Sequence, residues 1–198
     1  MNLGFLGDAL DHWKGSVFFR LQREGILIDF LVDPMLTDPE NWQASDFRLY
    51  ADLLQIRPGQ ILQHKRTLRG EREQYFAEVT HTGDLFLDPD TGIDLRHTRH
   101  NDIERYIKVS EIRQLVGGNL PRILCVYQHI RAKKIGDIVR ELKSALAESG
   151  TKIYGFSYRT PTVAMLFMSV RQNRIERLKE YFKNYLGRHS SMRVALWV

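Results

Sequence analysis

Three short stretches of this 198-residue chain carry side chains that could do chemistry. Asp88-Pro89-Asp90-Thr91-Gly92 delivers two carboxylates directly after an apolar run. Paired carboxylates can exchange protons, hold an amine or ligate a hard divalent cation. The same residue types also build turns, so the run could simply end a strand. Acids at the end of a buried strand are nevertheless costly unless water, a metal or an amine offsets their charge. Leu124-Cys125-Val126-Tyr127-Gln128-His129 places an imidazole and an amide after a second apolar run. Histidine titrates near neutrality and can serve as acid, base or ligand, although a lone histidine is as readily a hydrogen-bonded structural residue. Gly7-Asp8-Ala9-Leu10-Asp11-His12-Trp13-Lys14 gathers acids, an imidazole and an ammonium where a helix should start. There Asp8 suits an N-cap, and Lys14 could approach a phosphate.

Together these assign Asp88, Asp90 and His129 as catalytic candidates, and Asp8, Lys14, Asp33 and Gln128 as cofactor-side candidates. No resident metal site is assigned. An alternative reading makes Asp8, Asp33, Asp88 and Asp90 ligands of Mg²⁺ or Mn²⁺, with His129 or Lys14 assisting phosphodiester hydrolysis. His97 and His100, flanked by Arg96 and Arg99, lack a third ligand and read as part of a basic loop.

The elements that must position these groups alternate. Apolar residues at helical spacing predict a helix over 8–23, and residues 26–32 read as a strand buried on both faces, with Asp33 at its end. A loop over 34–45 precedes a helix through Phe47, Tyr50 and Leu54, capped by Ser45 or Asp46. A short strand near Ile61 and Leu62 and a helix through Tyr75, Phe76 and Val79 lead to a strand over 84–87. A helix from Ser110 ending at Gly117-Gly118 feeds a strand over 122–127, after which come Gln128, His129 and Arg131. The helix over 134–148 has the most continuous apolar stripe. Strands over 152–159 and 162–170 are joined at Thr160-Pro161 as a hairpin, followed by a helix over 173–186 and a strand-like tail over 192–198.

This pattern predicts one α/β domain over 1–198, a Rossmann-like three-layer sandwich with a mostly parallel sheet and a C-terminal antiparallel hairpin at its edge. In such sheets ligands bind beyond the carboxyl ends of the strands, where Asp33, Asp88, Asp90, Gln128 and His129 should gather. No repeat or linker divides the chain.

The 29 Lys and Arg residues against 24 Asp and Glu leave a net charge of +5 and admit nucleic acid as a partner. Solvated helix faces account equally well for Lys65, Arg66, Arg69 and Arg72, and for Arg171, Arg174, Arg177, Lys179 and Lys183. Tyr181, Phe182 and Tyr185 fall at helical spacing and are expected in the core rather than stacked on bases. The single cysteine, Cys125, excludes an internal disulfide and fits a reducing, cytoplasmic setting. No apolar run approaches the roughly 20 residues that span a bilayer, so neither a membrane partner nor export is expected. Oligomeric state is not legible.

The Gly7-Asp8, Lys14, Asp88-Pro89-Asp90-Thr91-Gly92 and Val126-Tyr127-Gln128-His129 spacing resembles a family of hypothetical bacterial and phage-associated proteins, over residues 4 to 131. More distantly, a strand ending in Asp88-Pro89, then a strand, a helix and a terminal hairpin resemble the second half of class I S-adenosylmethionine-dependent methyltransferases. That resemblance implies methyl transfer, with nucleic acid as acceptor and S-adenosylmethionine as cofactor. In those enzymes an Asp-Pro-Pro-aromatic motif holds the target amine. Asp88 and Pro89 match it, whereas Asp90 and Thr91 stand where proline and an aromatic would be, and Asp33-Pro34-Met35-Leu36 replaces the glycine-rich cofactor loop. A non-catalytic binding or regulatory module is the remaining alternative, since a fold does not itself imply an activity.

Overall fold

The computed structural model describes residues 1–64, 67–95, 100–117, 120–130, 134–148, 150 and 152–197. Lys65, Arg66, Arg96, His97, Arg99, Arg131, the second glycine of Gly117-Gly118 and the side chain of His100 lie outside this description.

Helix α1 (Ala9–Arg23) starts where expected, because the Asp8 side chain accepts from the Leu10 and Asp11 amides and satisfies two of its free donors. Val17, Phe18 and Leu21 are buried along it. Beyond its end, the Ile26 and Leu27 amides both return to the Leu21 carbonyl, so the expected strand over 26–32 begins as a helix terminus. Asp29 then adopts φ 48°, a turn conformation that interrupts any extended run. Only Leu31–Asp33 forms strand β1, while Ile26, Leu27 and Phe30 fill the core. Helix α2 (Ala44–Leu53) is entered through Gln43, whose amide donates to Asp46 at 2.8 Å, so Asp46 stabilises the helix from its first turn. Ile61 makes only an isolated bridge to Val32.

The chain continues through α3 (Arg72–Ala77), β2 (Leu85–Leu87), β3 (Gly92–Asp94), β4 (Tyr106–Lys108), α4 (Val109–Val116), β5 (Leu124–His129) and α5 (Ile135–Ala147). It ends with β6 (Tyr154–Arg159), β7 (Val163–Ser169), α6 (Gln172–Leu186), α7 (Ser190–Arg193) and β8 (Val194–Trp197). The result is a mixed α/β architecture. Its six-stranded sheet runs β1-β2-β5-β7-β6-β8. The first three strands are parallel, with Val32 beside Phe86 and Phe86 beside Cys125. β7 is antiparallel to both β5 and β6, and β8 is antiparallel to β6, so β1, β2, β5 and β6 share one direction.

The hairpin β6–β7 is therefore present, but not at the sheet edge. β7 inserts between β5 and β6 and is buried at all of its positions, because residues 163–168 are apolar on both faces. The edge role passes to β8.

Helices cover both faces. One core joins Phe18, Tyr50, Phe86, Cys125, Phe156 and Phe182 beneath α1, α2 and α6. The other joins Phe76, Leu87, Ile112, Val126, Leu142 and Leu166 beneath α3, α4 and α5. A separate parallel pair, β3 and β4, went unread in the sequence. Gly92 opens it at φ 129°, where the Gln128 side chain lies within 2.5 Å of any added Cβ. Among the described residues no helix is long and apolar enough to cross a membrane.

Candidate functional site

Strand alternation decides where each candidate side chain goes. Successive residues point to opposite sheet faces, so Asp33 follows Leu31 onto the α3–α5 side while Asp88 follows Phe86 onto the α1–α2 side. At β5, Tyr127 and His129 share the Asp88 side and Gln128 points away. The rim acids thus separate into two groups.

The first group surrounds a cavity of about 150 Å³ lined by Met1, Phe5, Asp8, Leu10, Asp11, Lys14, Asp88, Pro89, Asp90, Tyr127 and His129. At its base the Lys14 ammonium donates to Asp88 at 2.7 Å and to Asp11 at 3.0 Å, and lies 4.6 Å from the Tyr127 ring centroid. The Tyr50 hydroxyl donates to the same Asp88 oxygen at 2.6 Å. Burial pulls the Lys14 ammonium down, but Asp88 and Asp11 outweigh it and hold its pKa above the ordinary lysine value. Burial raises the Asp11 carboxyl, against the pull of Lys14, and raises the Tyr50 hydroxyl well above its usual range. Lys14 is therefore a fixed cation and Tyr50 a fixed donor.

Asp90 stands on the cavity wall. Its Oδ2 accepts from Thr37 at 3.1 Å and lies 3.9 Å from the Arg105 guanidinium. Its Oδ1 is buried and accepts no well-directed hydrogen bond, but forms an ion pair with the Met1 amino group 3.3 Å away, which also donates to the carbonyls of Pro34, at 2.7 Å, and Met35. His129 donates its amide to the Thr91 carbonyl at 3.0 Å, and its ring meets Tyr127 edge-on at 5.0 Å.

The second group forms behind the sheet. Asp33 is fully buried and accepts from the Tyr75 hydroxyl at 2.6 Å and the Met35 amide at 2.8 Å. Its other oxygen meets His64 Nε2 at 3.1 Å, and the His64 ring stacks on Tyr75 at 3.8 Å. Burial and then Asp33 push the Tyr75 hydroxyl well above its usual range. Gln128 spends its amide on structure, accepting from the Ile93 amide at 2.8 Å and donating to the His129 carbonyl at 2.8 Å.

Of the seven candidates, Asp8, Lys14, Asp88, Asp90 and His129 meet at one cavity, whereas Asp33 and Gln128 do not. Sequence reasoning missed Tyr50, Thr37, Tyr75 and His64, and placed Asp11 among the acids at the helix start without giving it a role. Asp11 carried a signal, since Asp11, Lys14, Phe18 and Leu21 share the stripe that α1 buries. Among the described residues no three His, Cys, Asp or Glu side chains come together as they would to hold a metal ion. The sequence matches no protein-family model and no curated protein.

Proposed function

We propose that the cavity over Asp88 is a binding site for a small ligand bearing an amine or another compact cationic donor, carried on a Rossmann-like three-layer α/β scaffold. The observation that carries this reading is the Asp90 carboxylate on the wall of the cavity, whose buried Oδ1 accepts no well-directed hydrogen bond and is paired at 3.3 Å with a Met1 amino group already shared between two carbonyls. A ligand N–H directed at this oxygen would add a charge-assisted hydrogen bond worth about 1.5–3 kcal/mol. Four carboxylates line the space against Lys14 and the Met1 nitrogen, and Phe5, Leu10 and Tyr127 supply apolar wall. About 150 Å³ suits a single small ring or a short alkyl amine.

The scaffold reading is supported by the order β1-β2-β5-β7-β6, with the reversed β7 between two parallel strands. This is similar to the second half of class I methyltransferases, with Asp88-Pro89 at the exit of β2. The cofactor of that class does not fit the residues present. Asp33 is consumed by Tyr75, His64 and Met35, the Met35 side chain is fully buried, and the cavity falls short of the roughly 300 Å³ where cofactor-sized pockets begin. We therefore favour amine recognition without S-adenosylmethionine chemistry, in keeping with a binding module. A Mg²⁺- or Mn²⁺-dependent nuclease is disfavoured because Asp88 and Asp11 are already matched to Lys14.

Calorimetric titration with benzylamine and with benzyl alcohol tests this reading. Saturable binding of the amine but not the alcohol, lost in Asp90→Ala, is the expected outcome. Equal binding of both, or of neither, overturns it.

A further inference from the structure

Away from the cavity, the far ends of α1 and α6 combine exposed aromatic rings with guanidinium groups. On α1 the outward positions are His12, Ser16, Phe19 and Arg23, with Arg20 half-buried between them. The Arg20 guanidinium lies 4.7 Å from the Tyr185 ring centroid, and Arg23 lies 5.9 Å from Phe19. On α6, Tyr181 and Tyr185, one turn apart, hold their rings within 5° of parallel at 6.1 Å. Arg177, one turn before Tyr181, donates to the Glu24 carbonyl at 3.1 Å and so closes the seam between the helices. Phe19 is 44% exposed and Tyr185 is 50% exposed, so the expectation that the α6 aromatics pack in the core holds for Phe182, holds in part for Tyr181, which is half-buried against that core, and fails for Tyr185.

The charge on this seam is predominantly positive. Among the described residues Arg20, Arg23 and Arg177 have Glu24 as the carboxylate in contact with the seam, 3.3 Å from Arg23, whereas Glu176 of α6 accepts from Gln172 and Glu180 lies 3.9 Å from Lys183. Flat rings beside fixed guanidinium groups offer stacking platforms and phosphate contacts together, and stacking requires bases that are not already paired. An apolar partner would leave the three guanidinium groups unsolvated, and an anionic surface without bases would leave the rings unused.

We propose that the α1–α6 seam binds single-stranded nucleic acid, with Phe19, Tyr181 and Tyr185 stacking bases and Arg20, Arg23 and Arg177 contacting phosphates. This site is independent of the cavity ligand. Fluorescence anisotropy with a labelled twelve-nucleotide oligothymidine tests it directly. Saturable binding is expected at about 50 mM salt, weakening with a log–log salt slope of about −2 for three phosphate contacts on a single strand. Tyr185→Ala should weaken binding about fivefold or more, while Tyr185→Phe, which keeps the ring, stays within about twofold. Arg23→Gln should make the salt slope shallower by about 0.7. Tyr185 and Arg23 are solvent-facing, so these variants keep the core intact and a matching thermal melt verifies it. Absence of binding at low salt, unchanged affinity in Tyr185→Ala, or equal affinity for a duplex of the same length overturns the proposal.

Discussion

Replacing Lys14 by Met removes the one side-chain cation among the described residues that pairs with Asp88 and Asp11, and leaves two carboxylates at 3% and 1% side-chain exposure without it. Breaking a buried ion pair from one side costs about 3–5 kcal/mol, because the surviving charge keeps its desolvation penalty. Here two compensations remain. Tyr50 still donates to Asp88 at 2.6 Å, and the Gly7 amide still donates to Asp11 at 3.0 Å. These place the loss near the lower end, about 3 kcal/mol, equivalent to a fall in Tm of roughly 6–12 °C for a chain of this size. Urea titration followed by circular dichroism should show the midpoint falling with little change in slope. The sign of the pH response follows from the same charges. Burial already raises the Asp11 carboxyl and losing Lys14 raises it further, so the variant's stability is greatest below that carboxyl's unfolded value and declines as pH rises through its folded one. Lys14→Met should therefore be closer to wild type at pH 5 than at pH 8. Adding Asp88→Asn should restore part of the loss at pH 8. A cost below about 1 kcal/mol, or a double variant no more stable than the single one, would refute the buried-cluster reasoning.

Asp11→Asn should grow more favourable relative to wild type as pH rises from 4 to 7, because burial raises the Asp11 carboxyl and its ionisation then opposes folding; a difference independent of pH counts against this. Gly15→Ala should destabilise by about 2 kcal/mol in chemical denaturation, despite alanine's better helix propensity, because a Cβ there would lie 2.1 Å from the Leu53 carbonyl oxygen; a stabilised variant would show that α1 and α2 can separate at no cost. Tyr75→Phe should cost about 1–3 kcal/mol by removing a donor from fully buried Asp33, and a neutral result would mean that His64 and the Met35 amide suffice.

Much of this arrangement was written locally. The Asp8 cap, the stripe of α5, the strand exits at Asp88 and His129, and the β6–β7 hairpin follow from residue type and period. The convergence of Asp8, Lys14, Asp88, Asp90 and His129 needed β2 and β5 to be neighbours, a strand order that the alternation of elements does not decide. Other features depend on information that no single window holds. Asp33 seemed to belong with Asp88 because both end parallel strands, yet its strand carries it to the other face. The apolar run at 26–32 has strand composition, but Asp29 at φ 48° and the return of two amides to Leu21 turn most of it into a helix terminus. The placement of β7 inside the sheet is set by pairing with β5, about forty residues earlier, and by burial on both faces. Tyr185 matched a core period that it does not obey, and Tyr181 obeys it only in part, since the stripe α6 fully buries is a narrow one of Ile175, Leu178 and Phe182.

The most direct test of the cavity as a ligand site is an amide-shift titration of ¹⁵N-labelled protein with benzylamine. Saturable shifts confined to the amides around Asp8–Asp11, Asp88–Thr91 and His129, and absent in Asp90→Ala, are the predicted result. Shifts scattered over the surface, or the same shifts persisting in Asp90→Ala, would contradict a binding site built around the Asp90 carboxylate.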